Sequence, residues 1–331
     1  MIFHHTLGMV QESWNIYGIE RGLTLTKKIL LFCDPGIDDS LAIMYCILDP
    51  EIELVGIVAS YGNVTKDQAT ANAAYLLELA GRSDIPVIPG ASMPVKEEVM
   101  IYYPEIHGQN GIGPIQPPNN FQYQVYPFDT IRSIIEKYKH ELIIVDTGRS
   151  TTLATAFTIF PDQIKKVNSF YVMGGAFFVP GNASALAEAN FYGDPTSSNF
   201  VLNYAHNLTI TPLNVTQYAV ITQDIVDAVS DNGGNFYSFM LDPIFKYYFN
   251  FYKKSVPGIP GAPMHDLLTI MVVKNPSLVD YIYYDATVIE GTEAKGMSYI
   301  DYRPTSKRGK TKIAVKLHYD AFIEEFKRIM L

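Results

Sequence analysis

The chain has 331 residues, 48% hydrophobic and 18% charged, which is ample for a large buried core. A formal net charge of −9 argues against a nucleic-acid backbone as the main partner. The apolar run from Leu41 to Leu48 is far too short to span a bilayer, and Cys33 and Cys46 sit in apolar runs as buried reduced thiols would; a cytoplasmic protein without membrane or disulfide framework is expected.

Residues 1–26 mix histidines, Trp14 and charges without a signal-peptide pattern, and read as an N-terminal extension to a single domain over 27–331. The pattern then alternates. Lys28 to Cys33 is a β-prone apolar run, and "DSLAIMYCIL" after it has helical spacing. "IELVGIVAS" predicts a strand, "TKDQATANAAYLLELAG" a helix and "IPVIPG" a short strand. A Pro-, Asn-, Gln- and Tyr-rich stretch from about 92 to 125 reads as a long surface excursion. "FDTIRSIIEKYKH" predicts a helix, "ELIIVD" a strand, "STTLATAFTIF" a helix, and "KVNSFYVMGG" and "NLTITPL" two more strands. Past 280, "YIYYDATVIE" and "KTKIAVKL" predict shorter strands, and a final helix starts at Asp320. This alternation predicts an α/β fold: a mostly parallel open sheet with helices on both faces, in one domain. Fully apolar strands such as "LIIV" suit a sheet buried on both sides.

In such sheets ligands bind beyond the carboxyl ends of the strands. Asp34 to Asp39, Tyr61 to Asn63, Asp146 to Gly148 and Gly174 to Asn190 all follow predicted strands, so four polar segments converge on one rim. The first holds three carboxylates, Asp34, Asp38 and Asp39, in six positions. Asp38 could simply cap the following helix and Asp39 could favour its dipole, but neither reading accounts for Asp34. A hard divalent cation such as Ca2+, which binds carboxylates, carbonyls and waters, would relieve their repulsion. The acidic spacing is not that of an EF-hand. A haloacid-dehalogenase-type phosphatase would need an Asp where Gly36 stands.

Asp34-Pro35-Gly36-Ile37-Asp38-Asp39 resembles the N-terminal signature of the inosine-uridine nucleoside hydrolases. "YGNVT" at 61–65, "EIHGQNGIG" at 105–113, "TG" at 147–148, "VMGGAFFVPGNASALAEANFYGDP" at 172–195, "MHD" at 264–266 and "AVKLHYDAF" at 314–322 look like family segments in family order. The resemblance covers residue 27 to the end. It implies a Rossmann-related fold and Ca2+-dependent hydrolysis of the N-glycosidic bond of ribonucleosides, purine, pyrimidine or both, in nucleoside salvage or catabolism. It implies Ca2+ held by Asp34, Asp39, the Thr147 backbone oxygen and Asp266, with a water oriented and acidified for attack on the anomeric carbon. Asp34 would be the general base. Asp38 would grip the ribose 2′-hydroxyl, Asn190 the 3′-hydroxyl, and Asn182 and Glu188 the 5′-hydroxyl, with Asn63 bracing the aspartates. His265 would assist departure of the base, as an imidazole titrating near 6.5 could at neutral pH. His107 and Tyr252 would face the base. The other histidines, His4, His5, His140, His206 and His318, lack such context. The partner implied is a small nucleoside, with no nucleic acid or membrane, and the state a homo-oligomer, dimer or tetramer.

The chain departs from the family pattern at several points. Phe32 replaces an Asp two residues before the general base, Asp146 adds charge beside Thr147, and Arg149 stands where a small residue is common and could offset it. Ala189 replaces a large hydrophobe, and no arginine accompanies Tyr252. Phe32 and Asp146 frame the alternative, a catalytically impaired nucleoside- or sugar-binding protein of the same fold; an unrelated metal-binding or phosphatase-like enzyme would instead release phosphate.

Overall fold

The structure, a computed structural model, describes residues 26–96, 100–232, 234–306 and 309–331. The N-terminal extension, with His4 and His5, lies outside the described residues save for Thr26. Six strands come first: β1 (Lys27–Cys33), β2 (Ile52–Ala59), β3 (Val87–Pro89), β4 (Leu142–Asp146), β5 (Ser169–Met173) and β6 (Leu208–Thr211). Later come β7 (Val220–Thr222), β8 (Gly261–Pro263), β9 (Val279–Tyr283), β10 (Ala286–Val288), β11 (Ser298–Ile300) and β12 (Lys312–Leu317).

Eight of these form one sheet in the order β3-β2-β1-β4-β5-β6-β12-β9. Every neighbouring pair is parallel except β12 with β9, so the sheet is mostly parallel, as the alternation predicted. Along β1, Leu30 and Phe32 enter the core on one face, and Ile29, Leu31 and Cys33 enter the core on the other. That double burial is why the strands read as continuous apolar runs rather than alternating ones. Cys33 and Cys46 are both buried and unpaired.

The helix Ile37–Leu48 is buried over Ile37 to Cys46. It packs against β2 and against the helix His265–Lys274, which is buried from His265 to Val273. Helices enclosed on all sides are apolar all round. Their packing sets the first turn of one, with Asp38 and Asp39, beside the first turn of the other, with His265 and Asp266.

Two expectations change. The excursion over 92–125 is more than a surface loop: it contains the short helix Pro104–His107 and buries His107 to 5% exposure. The sequence pattern also named no element from 214 to 279, where the structure has β7, β8 and the helices Gln223–Asn232 and Ser238–Ser255. The latter carries an internal Pro243 and a run of aromatics that obscure its apolar period.

Candidate active site

Each expected polar segment does reach the carboxyl edge of the sheet. Directly after β1 the chain turns through Pro35 and Gly36. Gly36 N donates to Asp39 Oδ2 across 3.1 Å, and the Asn63 side-chain amide donates to the same oxygen across 3.1 Å. The Thr147 hydroxyl donates to Asp39 Oδ1 across 2.9 Å. Asp34 accepts the Asn63 backbone N–H at Oδ2 across 2.7 Å. Gly62 makes that approach possible, because a β-carbon there would fall 1.6 Å from Asp34 Oδ2.

Asp38, Asp39 and Asp266 each offer a carboxylate oxygen within 4.8 Å of the others. Asp34 is not in that triangle, but its charge is felt at Asp266 and Asp39 raises its pKa. Asp34 Oδ1 and Asp38 Oδ1 are buried without any hydrogen-bond partner. Burial, then repulsion from neighbouring acids, pushes Asp34 and Asp266 well above the carboxylate range and Asp38 up to about 7. Burial also raises Asp39, against hydrogen bonds that lower it. Asp38 and Asp266 share this group of acids, and the Asp38 charge adds to burial in opposing ionisation of Asp266. Two full charges 4.8 Å apart repel by about 3.5 kcal/mol at an effective dielectric near 20. Four buried acids with two orphaned oxygens therefore fit a hard divalent cation, the donor set such ions take. Thr147 completes the floor: its carbonyl accepts the Asn190 side-chain amide across 2.8 Å.

Above this floor opens a cavity of about 690 Å³. Asp38, Asn63, Thr147, Asn182, Glu188, Asn190, His107, Tyr252, His265 and Asp266 line it, while Asp34 and Asp39 do not and are buried. Glu188 caps the short helix Ala189–Gly193, accepting from Asn190 N at 2.7 Å and Phe191 N at 3.1 Å, and also holds Gly175 N at 2.9 Å. Burial raises its pKa despite those donors. Asn182 accepts from Ala189 N across 3.0 Å. Ala189 itself lines the cavity.

The opposite wall is aromatic. The helix Ser238–Ser255 sends in Tyr248, Phe251 and Tyr252. Tyr248 was not anticipated, although it stands one helical turn before Tyr252 on the same face. Its ring meets that of Tyr252 edge-on, with centroids 5.0 Å apart, and burial, then the Asp38 charge, raises its pKa. His107 Nδ1 accepts the Ile37 backbone N–H across 3.0 Å, which leaves Nε2 as the protonated nitrogen. Burial and the nearby His265 push His107 down to about 3. His265 lies between Tyr252, 3.1 Å from Nε2, and Thr216, 2.9 Å from Nδ1. Burial pushes His265 down to about 4, so the expected imidazole titrating near 6.5 is not found: at neutral pH the ring is neutral.

The departures also take definite places. Phe32 packs in the core with Ile88, Leu153 and Phe170. Asp146 is its register partner on β4; it accepts the Ser150 hydroxyl across 2.7 Å, and burial pushes it up to about 7. Arg149 is buried, donates to the carbonyls of Gly62 (3.0 Å) and Ile101, and lies over the Tyr61 ring at 5.1 Å. Its charge lowers the pKa of Asp34 and Glu188, whereas the offset anticipated for it was of Asp146. His206 and His318 bond Val167 O and Asp280, away from the cavity lining.

The family model described as inosine-uridine preferring nucleoside hydrolase matches residues 29–324. Uridine nucleosidase 1 of Arabidopsis thaliana is 33% identical over 268 residues, 80% of this chain and 79% of that protein. The inosine-uridine preferring nucleoside hydrolase of Crithidia fasciculata is 32% identical over 304 residues, 90% of this chain and 95% of that protein. A solved purine-preferring ribonucleoside hydrolase from Gardnerella vaginalis superposes with a TM-score of 0.85 at 29% identity, covering 92% of this chain and 98% of its own. This chain, with its buried acidic floor beneath a cavity of one polar and one aromatic wall, belongs to the inosine-uridine preferring nucleoside hydrolase family, enzymes that hydrolyse N-glycosyl bonds of ribonucleosides.

Proposed function

We propose that the protein is a Ca2+-dependent ribonucleoside hydrolase that releases free purine or pyrimidine base and ribose in nucleoside catabolism. The observation that carries this is the acid floor, with two orphaned buried oxygens, opening into a cavity whose walls divide into polar and aromatic halves. Asp34, Asp39, Asp266 and the Thr147 carbonyl hold the cation; Asp38 stands close enough to join them. When bound, Ca2+ supplies neutralisation of the acids and polarisation of the oxygens around it.

This chain's own groups do the rest. Asp34 has one oxygen engaged by Asn63 and one without a partner, and serves as general base for the attacking water. Asp38 and Asn190 orient the 2′- and 3′-hydroxyls, Asn182 and Glu188 the 5′-hydroxyl, and Asn63 braces Asp34 and Asp39. Fixing the sugar among acidic groups favours the oxocarbenium-like transition state. His107, Tyr252 and the aromatic wall hold the base. His265, neutral and bonded to Tyr252, assists its departure by hydrogen bonding. The unit is the domain 27–331, a homo-oligomer by family resemblance, and its two buried unpaired thiols support a cytoplasmic location.

The test is ribose release from inosine, uridine, cytidine, adenosine and guanosine, with and without chelator, which also ranks the bases. Turnover that ignores chelator removes the metal, and no release from any of the five removes the reading.

A further inference from the structure

We infer that Thr216 is a positioning residue that fixes His265 as its Nε2–H tautomer and so frees the Tyr252 hydroxyl proton for the leaving base. This rests on the nucleoside-hydrolysing reading of the cavity. Thr216 ends the short helix Leu213–Thr216, is fully buried and does not line the cavity. Tyr252 does line it. His265 joins the two, with Nδ1 2.9 Å from the Thr216 hydroxyl and Nε2 3.1 Å from the Tyr252 hydroxyl.

A neutral imidazole has one donor and one acceptor nitrogen, so the chain of three can run in two directions. In the first, Nδ1–H donates to Thr216 and Tyr252 donates to Nε2. The Thr216 hydroxyl proton is then buried with no acceptor among the described residues, which buried polar groups rarely tolerate. The Tyr252 proton is also consumed, and the base meets only an oxygen lone pair. In the second, Thr216 donates to Nδ1 and Nε2–H donates to the Tyr252 oxygen. The Thr216 and His265 protons then both have an acceptor.

Under that second arrangement the Tyr252 proton is not committed to His265, and a base in the cavity that Tyr252 lines can accept it. Tyr248 packs edge-on against Tyr252, with ring centroids 5.0 Å apart. His107 shows the same tautomer fixed by other means, since the Ile37 backbone N–H can only donate to its Nδ1. Both cavity histidines therefore carry their proton on Nε2.

The full-length protein with 15N-labelled histidine, in Ca2+-containing buffer, decides the tautomer through long-range 1H–15N correlation. The expected result is His265 protonated at Nε2 with a hydrogen-bonded Nδ1. In Thr216→Val the Nδ1 resonance moves to the position of a bare ring nitrogen; in Thr216→Ser it stays. Kinetically, Thr216→Val loses about tenfold in kcat on nucleosides, the worth of one well-placed hydrogen bond, with KM little changed. It keeps its rate on p-nitrophenyl riboside, whose leaving group needs no donor, and Thr216→Ser recovers the nucleoside rate. A wild-type ring protonated at Nδ1, or equal losses on both substrates, overturns the inference. Should Thr216→Val fail to fold, the wild-type tautomer and the serine variant still decide it. Absence of ribose release by the wild type would instead overturn the hydrolase reading and leave the tautomer measurement standing.

Discussion

The side-chain amide of Asn190 donates to the Thr147 carbonyl across 2.8 Å, binding the segment after β5 to the segment after β4. One group proposed to grip the ribose therefore also aims a carbonyl proposed to face the cation. Asn190→Ala is expected to lower kcat/KM on every ribonucleoside by about 10²-fold, since it removes hydrogen bonds to the shared sugar in the transition state. It should also weaken Ca2+ binding measured by titration calorimetry. Glu188→Ala should likewise lose activity on all substrates, whereas His107→Ala should reorder the bases. An Asn190→Ala enzyme that spared some nucleosides would show these roles to be misassigned.

Asp34→Ala and Asp39→Ala test the floor. Each removes a proposed ligand, and Asp34→Ala removes the base as well. Turnover should fall by about 10³-fold or more. Calorimetry should find Ca2+ binding lost in both. Wild-type rates in either variant, or in excess chelator, would falsify the metal mechanism.

The metal-free protein should lose stability as pH rises. Asp38 and Asp146 have folded-state values pushed up to about 7 by burial, above the ordinary carboxylate value near 4. The fold binds their protons more tightly than the unfolded chain does, so the stability they contribute is complete below pH 4 and is lost as pH climbs through 7. The slope is about 1.4 kcal/mol per pH unit for each group. Melting temperatures in chelator should therefore fall between pH 5 and 8. Asp146→Asn should flatten the slope, and saturating Ca2+ should reverse it by stabilising the ionised acids. A flat profile in chelator would contradict the burial argument.

Arg149 ties three segments together through the carbonyls of Gly62 and Ile101 and the Tyr61 ring. Arg149→Met leaves those carbonyls without their donor, at a cost of about 2–4 kcal/mol. Melting should fall by several degrees, and limited proteolysis should cut beside Ile101, in residues 100–103, faster than in the wild type. Unchanged proteolysis would mean that Arg149 acts by charge alone.

Some of this is already written along the chain, because it depends on neighbours in sequence. The strand–helix alternation that makes the parallel sheet, the acidic turn after β1, and the polar segments following β2, β4 and β5 all arise from local period and composition. Packing decides the remainder. Thr216 meets His265 across 49 positions, and Ile37 meets His107 across 70. No period in the sequence reports such pairs, since they exist only once the helices Ile37–Leu48, Ser238–Ser255 and His265–Lys274 have closed around the cavity. Burial then sets the chemistry. His265 is an ordinary imidazole in the sequence, and loss of water around it pushes it to about 4, which makes it a neutral hydrogen-bonding group in place of an acid.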